Sequence, residues 1–169
     1  YPGVASMDII DNVIPYIGGE EEKVEYEASK IMGSYDGSQI IQHPIVISAH
    51  TNRVAVVDGH TICLSIALKQ KASREDLIAA LENFEYPDSC KGLPSCPEKG
   101  IIYHYESNRP QPRLDRNLGK GMTTSVGRIR EDKIFDFRMV SMSHNTVRGA
   151  AGGSILNAEL LARKKLGMK

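Results

Sequence analysis

Residues 123–153 contain the pattern that decides the fold, and they read TTSVGRIREDKIFDFRMVSMSHNTVRGAAGG. Apolar and polar side chains alternate with a period of two over Thr123–Arg130 and again over Ile134–Ser143, which predicts two successive strands. A glycine-rich turn, Gly149–Gly153, follows the second strand and leads into a predicted helix from about Ser154 to Leu166. This part of the chain is therefore expected to run from a pair of strands into a helix.

The remaining sequence adds helices and strands without a strict β-α-β alternation. Three acidic residues open a predicted helix over Glu20–Gly33, since carboxylates stabilise the positive end of a helix dipole and Gly33 suits a left-handed C-terminal cap. Ser73 begins a capping box for a second helix. This order favours an α+β fold in one domain over residues 1–169, with a mixed, largely antiparallel sheet covered by helices. The other predicted strands are Pro44–Ala49, Arg53–Leu68 with a break at Asp58-Gly59, and Ile101–Tyr105.

Composition argues against several classes of function. The chain has 169 residues, with 21 lysines and arginines against 21 aspartates and glutamates. Zero net charge gives no general attraction to nucleic acid or to acidic lipid, so neither partner is expected. The longest mainly apolar run, Ile40–Ala49, is too short to span a membrane. Three cysteines form an odd and sparse set, which predicts a reducing, cytoplasmic compartment rather than a disulfide scaffold.

Arg53 and His60 are the first candidates for chemistry. They lie in one predicted strand, and the buried face of a strand normally excludes a cation and an imidazole. Residues at this odd spacing face opposite sides of a regular strand, so the two side chains converge only if Asp58-Gly59 forms a bulge. A converged pair offers a fork for a substrate carboxylate and a proton donor and acceptor near neutral pH. The alternative is a surface arginine at a strand start and a histidine after a turn.

Two further groups are weaker candidates. Glu27 lies on or beside the apolar stripe of the first helix, Val24, Ala28 and Ile31, which we expect to face the protein. Glu27 and Lys30 are also at the spacing of an ordinary solvated ion pair. The Gly149–Gly153 turn suits the approach of an anion or a cofactor, but it lacks the glycine spacing of a nucleotide-binding loop. Tight packing between strand and helix explains these glycines equally well.

The cysteines offer little chemistry. Cys63 alternates with apolar neighbours in a predicted strand and is expected to be a small core residue. The spacing of Cys90 and Cys96 matches no common zinc pattern, so no metal site is expected.

Several segments of this chain resemble aspartate-semialdehyde dehydrogenases of the fungal and archaeal branch, and their sequences look like the fungal form. The resemblance runs in order over nearly the whole chain and matches the C-terminal catalytic and dimerisation domain of that family. It implies the fold of the C-terminal domain of glyceraldehyde-3-phosphate dehydrogenase-type enzymes. The matching segments are Tyr1–Ser6, Pro15–Lys23, Ser48–Val54, Val57–Thr61, Asn108–Arg116 and Ser143–Ser154.

The resemblance implies a reaction and a role for each matched residue. The family converts aspartate semialdehyde, phosphate and NADP to aspartyl phosphate and NADPH through a covalent cysteine adduct. His60 matches the general acid/base, and Arg53 matches the arginine that binds the substrate carboxylate. The remaining matches are Glu27 for the substrate ammonium group, Lys30 near the phosphate, and Gly152, Gly153 and Asn157 near the cofactor.

The resemblance also implies what this stretch of sequence lacks. The nucleophilic cysteine and the NADP-binding domain of the family match no residue here, since Cys63, Cys90 and Cys96 all lie elsewhere. We therefore expect the 169-residue chain by itself to be inactive and to hold no NADP, and we expect the full enzyme to be a homodimer or homotetramer. Two alternatives are a malonyl-coenzyme-A-reductase-like enzyme domain and a pure oligomerisation module.

Overall fold

The structure, a computed structural model, describes residues 8–167. The matching segment Tyr1–Ser6 lies outside the described residues. Contacts divide the chain into two compact units with the boundary between Val56 and Val57, and each unit is described by itself. The single domain over residues 1–169 stays a prediction.

The first unit is built around the predicted helix, α1, which covers Glu20–Ile31. The three acidic residues lie in its first turn, as expected. Two short antiparallel strands follow, β1 (Ser34–Tyr35) and β2 (Ile40–Ile41). The side chain of Asp36 accepts the backbone N–H groups of the turn between them, Ser38 and Gln39, each at 2.8 Å.

Two details of the prediction for α1 are wrong. Gly33 is not left-handed; a Cβ there would lie 2.3 Å from the carbonyl oxygen of Ile41, so the glycine is required by close packing of β2 against the helix end. The half-buried stripe of α1 is also not the apolar one: Val24 and Glu27 are exposed. The side of the helix that is half-buried carries Glu21, Glu25, Ala28 and Ser29.

The second unit contains a four-stranded sheet with the order β3-β6-β5-β4. β5 pairs antiparallel with β6, β6 pairs antiparallel with β3, and β4 pairs parallel with β5. The expected α+β fold with a mixed, largely antiparallel sheet is confirmed. The strands are β3 (His60–Ile66), β4 (Ile101–His104), β5 (Thr124–Glu131) and β6 (Phe137–Ser143).

Helices pack against the sheet and help to form a second apolar cluster. α2 (Arg74–Glu82) begins at the predicted capping box, in which Ser73 and Asp76 exchange hydrogen bonds. Ile78 of α2 packs in a core cluster formed mainly by sheet residues, and α4 (Gly152–Leu166) brings Leu156 into the second cluster. A single turn, α3 (Pro112–Asp115), and a π-helical turn over Val147–Ala151 complete the unit.

The predicted strands Pro44–Ala49 and Arg53–Leu68 are wrong in extent. Residues 44–49 have no regular structure, and β3 begins only at His60. The Asp58-Gly59 pair precedes the strand, and Gly59 has a φ of 115°, so there is no bulge inside a longer strand. Cys63 is exposed rather than a core residue, as are most side chains of β3, which is an edge strand of the sheet.

Candidate active site

His60 is the first residue of β3 and lies opposite Ser143 of β6. Its side chain is exposed. Within the described part of the chain, no side chain or backbone group hydrogen-bonds its imidazole. Both ring nitrogens are therefore available to a ligand, as a general acid/base requires.

Arg53 belongs to the first unit, where its backbone N–H donates to the carbonyl oxygen of Ile14 at 2.9 Å. Ile14 returns the bond at 3.1 Å, and the pair forms an isolated antiparallel bridge. Arg53 is half-buried. Because Arg53 is not part of β3, its odd spacing from His60 does not put the two side chains on opposite faces of one strand.

The carboxylates of α1 hold the segment that leads to Arg53. Glu25 accepts the backbone N–H of Ala49 at 2.9 Å, and Glu21 accepts that of Thr51 at 2.8 Å. Sequence reasoning missed both residues, because acids at helical spacing ordinarily face water and nothing local marks a distant partner.

Glu27 and Lys30 are both exposed on α1. On this helix, Nζ of Lys23 forms an ion pair with Glu20 at 3.4 Å. Side chains exposed in this way suit contact with a ligand, but their roles toward a substrate remain predictions.

The start of α4 carries the residues expected near a cofactor. A Cβ on Gly153 would lie 2.6 Å from the carbonyl oxygen of Arg148, and one on Gly152 would lie 2.5 Å from Sδ of Met122. Both glycines therefore have a packing role. Asn157 is exposed and free to meet a ligand, as is Ile155 one half-turn earlier.

A buried ion pair lies in the Asn108–Arg116 segment, and sequence reasoning did not anticipate it. Asp115 has no exposed surface, and its carboxylate accepts two hydrogen bonds from Arg109, one of them from Nε at 2.9 Å. It also accepts the N–H of Gln111 at 2.6 Å, and Nε2 of His104 lies 3.8 Å away. Burial opposes ionisation of Asp115, but Arg109, Gln111 and His104 outweigh it and hold the pKa of this carboxyl below its usual range.

No group of three or more His, Cys, Asp or Glu side chains converges as metal ligands among residues 8–167. Nor does any helix in that range have the length and apolar character needed to cross a membrane.

Comparison with known proteins places the chain in one family. The chain matches the family described as semialdehyde dehydrogenase, dimerisation domain, over residues 1–148, and it belongs to that family.

Its relatives carry the name aspartate-semialdehyde dehydrogenase. The protein of Archaeoglobus fulgidus is 49% identical over 166 residues, covering 98% of this chain and 47% of the relative. That of Schizosaccharomyces pombe is 47% identical over 173 residues, covering 98% of this chain and 48% of the relative. The chain thus spans about half the length of the curated relatives it matches.

Solved structures agree with this assignment. Aspartate-semialdehyde dehydrogenase with NADP from Candida albicans matches with a TM-score of 0.87 and 45% identity, covering 97% of this chain and 48% of that one. Aspartate-semialdehyde dehydrogenase II from Vibrio cholerae matches with a TM-score of 0.72 at 24% identity, covering 91% of this chain and 42% of that one, and shows the shared fold. These names do not favour the malonyl-coenzyme-A-reductase-like alternative.

Proposed function

We propose that this chain is the catalytic and dimerisation part of an NADP-dependent aspartate-semialdehyde dehydrogenase. The reaction converts L-aspartate 4-semialdehyde, phosphate and NADP to L-aspartyl 4-phosphate and NADPH, in the synthesis of lysine, threonine and methionine. The observation that carries the proposal is His60, an exposed imidazole that no group among residues 8–167 hydrogen-bonds, in a chain that is 45–49% identical to enzymes of that name.

Residues with suitable chemistry are present in both units. In the first unit, Arg53 offers a planar fork for the substrate carboxylate, and Glu27 offers a carboxylate for the ammonium group. Lys30 supplies a positive charge for phosphate. In the second unit, His60 gives a proton to the aldehyde oxygen as a nucleophile adds to the carbon, and removes it again as the carbon is oxidised.

The chemistry of an exposed side chain near the start of α4 suits a nicotinamide. The exposed amide of Asn157 can hydrogen-bond a carboxamide. Bound NADP would supply the hydride acceptor. Gly152 and Gly153 would keep the backbone of this turn close to it.

Assembly and compartment complete the proposal. The family is a dimerisation domain, and we place the chain in a homodimer or homotetramer. All three cysteines are free thiols, which supports a reducing, cytoplasmic compartment.

The test uses the full-length protein that contains this chain. Purified protein should form NADPH, followed by absorbance, from aspartate semialdehyde, phosphate and NADP. His60→Ala should lower kcat by about 10²- to 10⁴-fold, because general acid/base catalysis contributes that much. Absence of NADPH formation by the wild-type protein would refute the activity, and wild-type kcat in His60→Ala would remove His60 from the catalytic step.

A further inference from the structure

The backbone immediately before His60 is held by other parts of the second unit. Because no group within the described residues hydrogen-bonds the imidazole, its direction depends on the backbone at the start of β3. That backbone passes through Gly59, whose φ of 115° favours glycine. Gly59 also has no side chain that could hold it in place. Contacts from elsewhere must therefore fix the Asp58-Gly59 pair.

The segment after β6 supplies two of these contacts. Oδ1 of Asn145 accepts the backbone N–H of Gly59 at 2.8 Å. Oγ1 of Thr146 lies 3.3 Å from Oδ1 of Asp58, to which it donates. Since His60 pairs with Ser143, the hydrogen bond from the Gly59 N–H to Asn145 extends the contact between the two strands past the start of β3 and the end of β6.

The α3 segment supplies two more contacts. Nη1 of Arg116 donates to the carbonyl oxygen of Asp58 at 3.3 Å. A Cβ on Gly59 would lie 3.0 Å from Cβ of Pro112, so the first residue of α3 packs directly on this glycine. The buried pair of Asp115 with Arg109 anchors α3 from the other side.

We propose that Asn145 is a positioning residue for His60, acting through the N–H of Gly59, with Thr146 and Arg116 supporting the same turn. The proposal rests on the proposed function of His60 as acid/base. Asn145 does not touch the reacting atoms in this role; it fixes the backbone from which the imidazole extends. Displacement of a catalytic group by about 1 Å can cost about a hundredfold in rate.

The structure offers a matched control at the other end of the same strand pair. Oδ2 of Asp136, the residue before β6, accepts the N–H of Leu68, beyond the end of β3, at 2.7 Å. Asn145 and Asp136 therefore make the same kind of bond to the two flanks of β3. Because β3 is seven residues long, the flanks are roughly 20 Å or more apart. Loss of the Asp136 bond weakens the strand pair without disturbing the start of β3.

The experiment compares Asn145→Ala, Asn145→Asp and Asp136→Ala in the full-length protein. Asn145→Ala should lower kcat by about 10- to 100-fold with KM for aspartate semialdehyde nearly unchanged, and should shift the pH profile of kcat/KM. Asn145→Asp retains an acceptor oxygen and should recover most of the rate. Asp136→Ala should lower the melting temperature while leaving kcat close to that of the wild type.

Hydrogen exchange of the Gly59 amide gives a readout that does not require activity. Exchange should be faster in Asn145→Ala and close to wild type in Asp136→Ala. Wild-type kcat in Asn145→Ala, or an equal loss of kcat in Asp136→Ala, would overturn the positioning role. An inactive wild-type protein would instead refute the proposed function, and the exchange rates would still report whether Asn145 holds Gly59.

Discussion

Asp115 shows how strongly a single residue can depend on its partners in this fold. A carboxylate without exposed surface is costly unless its charge and its oxygens are satisfied. Arg109 satisfies it with two hydrogen bonds and Gln111 with a third. Against the opposing effect of burial, these partners lower the pKa of Asp115, so the folded state binds its proton less readily than the unfolded chain.

Replacing Asp115 by Asn should destabilise the protein by about 2 kcal/mol at neutral pH, because Arg109 loses a charged acceptor. The sign follows from the lowered pKa of Asp115. Its stabilising contribution is complete above the unfolded-state pKa of 3.8 and is lost as the pH falls through the folded-state pKa. Urea unfolding of both forms at several pH values should show the difference shrinking in acid, and an undiminished difference at low pH would contradict this account.

Arg53 is the residue proposed to bind the substrate carboxylate. Arg53→Lys in the full-length protein should raise KM for aspartate semialdehyde about tenfold and change kcat less, because lysine lacks the planar fork that binds a carboxylate with two hydrogen bonds. Steady-state kinetics measure this. Arg113→Lys is the control, since Arg113 is exposed and has no proposed role. Equal effects of the two substitutions would argue against carboxylate binding by Arg53.

At the scale of elements, two glycines near the junction of the π-helical turn and α4 differ in how closely other atoms approach them: Gly149 lies in the turn and Gly153 in α4. A Cβ on Gly153 would meet the carbonyl oxygen of Arg148 at 2.6 Å, whereas one on Gly149 would meet its nearest neighbour, the carbonyl oxygen of His144, at 3.8 Å. Gly153→Ala should therefore destabilise the protein by about 1–3 kcal/mol, and Gly149→Ala should be close to neutral. Thermal unfolding compares them, and equal melting temperatures would show that the turn relaxes around a side chain.

Helix α1 shows why amphipathic patterns can mislead. The pattern predicts that the apolar stripe faces the protein, yet Val24 is 40% exposed and Ile31 is 79% exposed. The half-buried side instead carries Glu21 and Glu25, whose carboxylates accept backbone N–H groups of an irregular segment. Residues 44–52 have no regular structure, so their backbone N–H groups need acceptors outside a sheet, and the carboxylates on this side of α1 supply two of them.

At the scale of the whole molecule, the edge strand β3 offers a test of assembly. Ile62, in the middle of β3, is 51% exposed, and Cys63 beside it is exposed as well. Burial of this strand against a second copy is consistent with a dimerisation domain. Ile62→Glu should weaken self-association by at least about tenfold, because a charge would enter an apolar contact.

Light scattering of the full-length protein over a dilution series measures this change. Ile134→Glu is the control: Ile134 is 85% exposed but lies in the tight turn between β5 and β6, outside β3. A dimer that persists unchanged in Ile62→Glu would place the interface elsewhere.

The sequence by itself determined the fold class, the strands β4, β5 and β6, the capped helix α2 and the family, because period-two alternation, capping residues and ordered motifs are local signals. It also predicted His60 as the acid/base, and that role stays a prediction. Only the tertiary structure decided that β3 begins at His60, that Glu21 and Glu25 are half-buried rather than Val24, and that Asn145 and Arg116 hold the Asp58-Gly59 pair. These features depend on hydrogen bonds between residues far apart in sequence, and no local pattern of side chains records such partners.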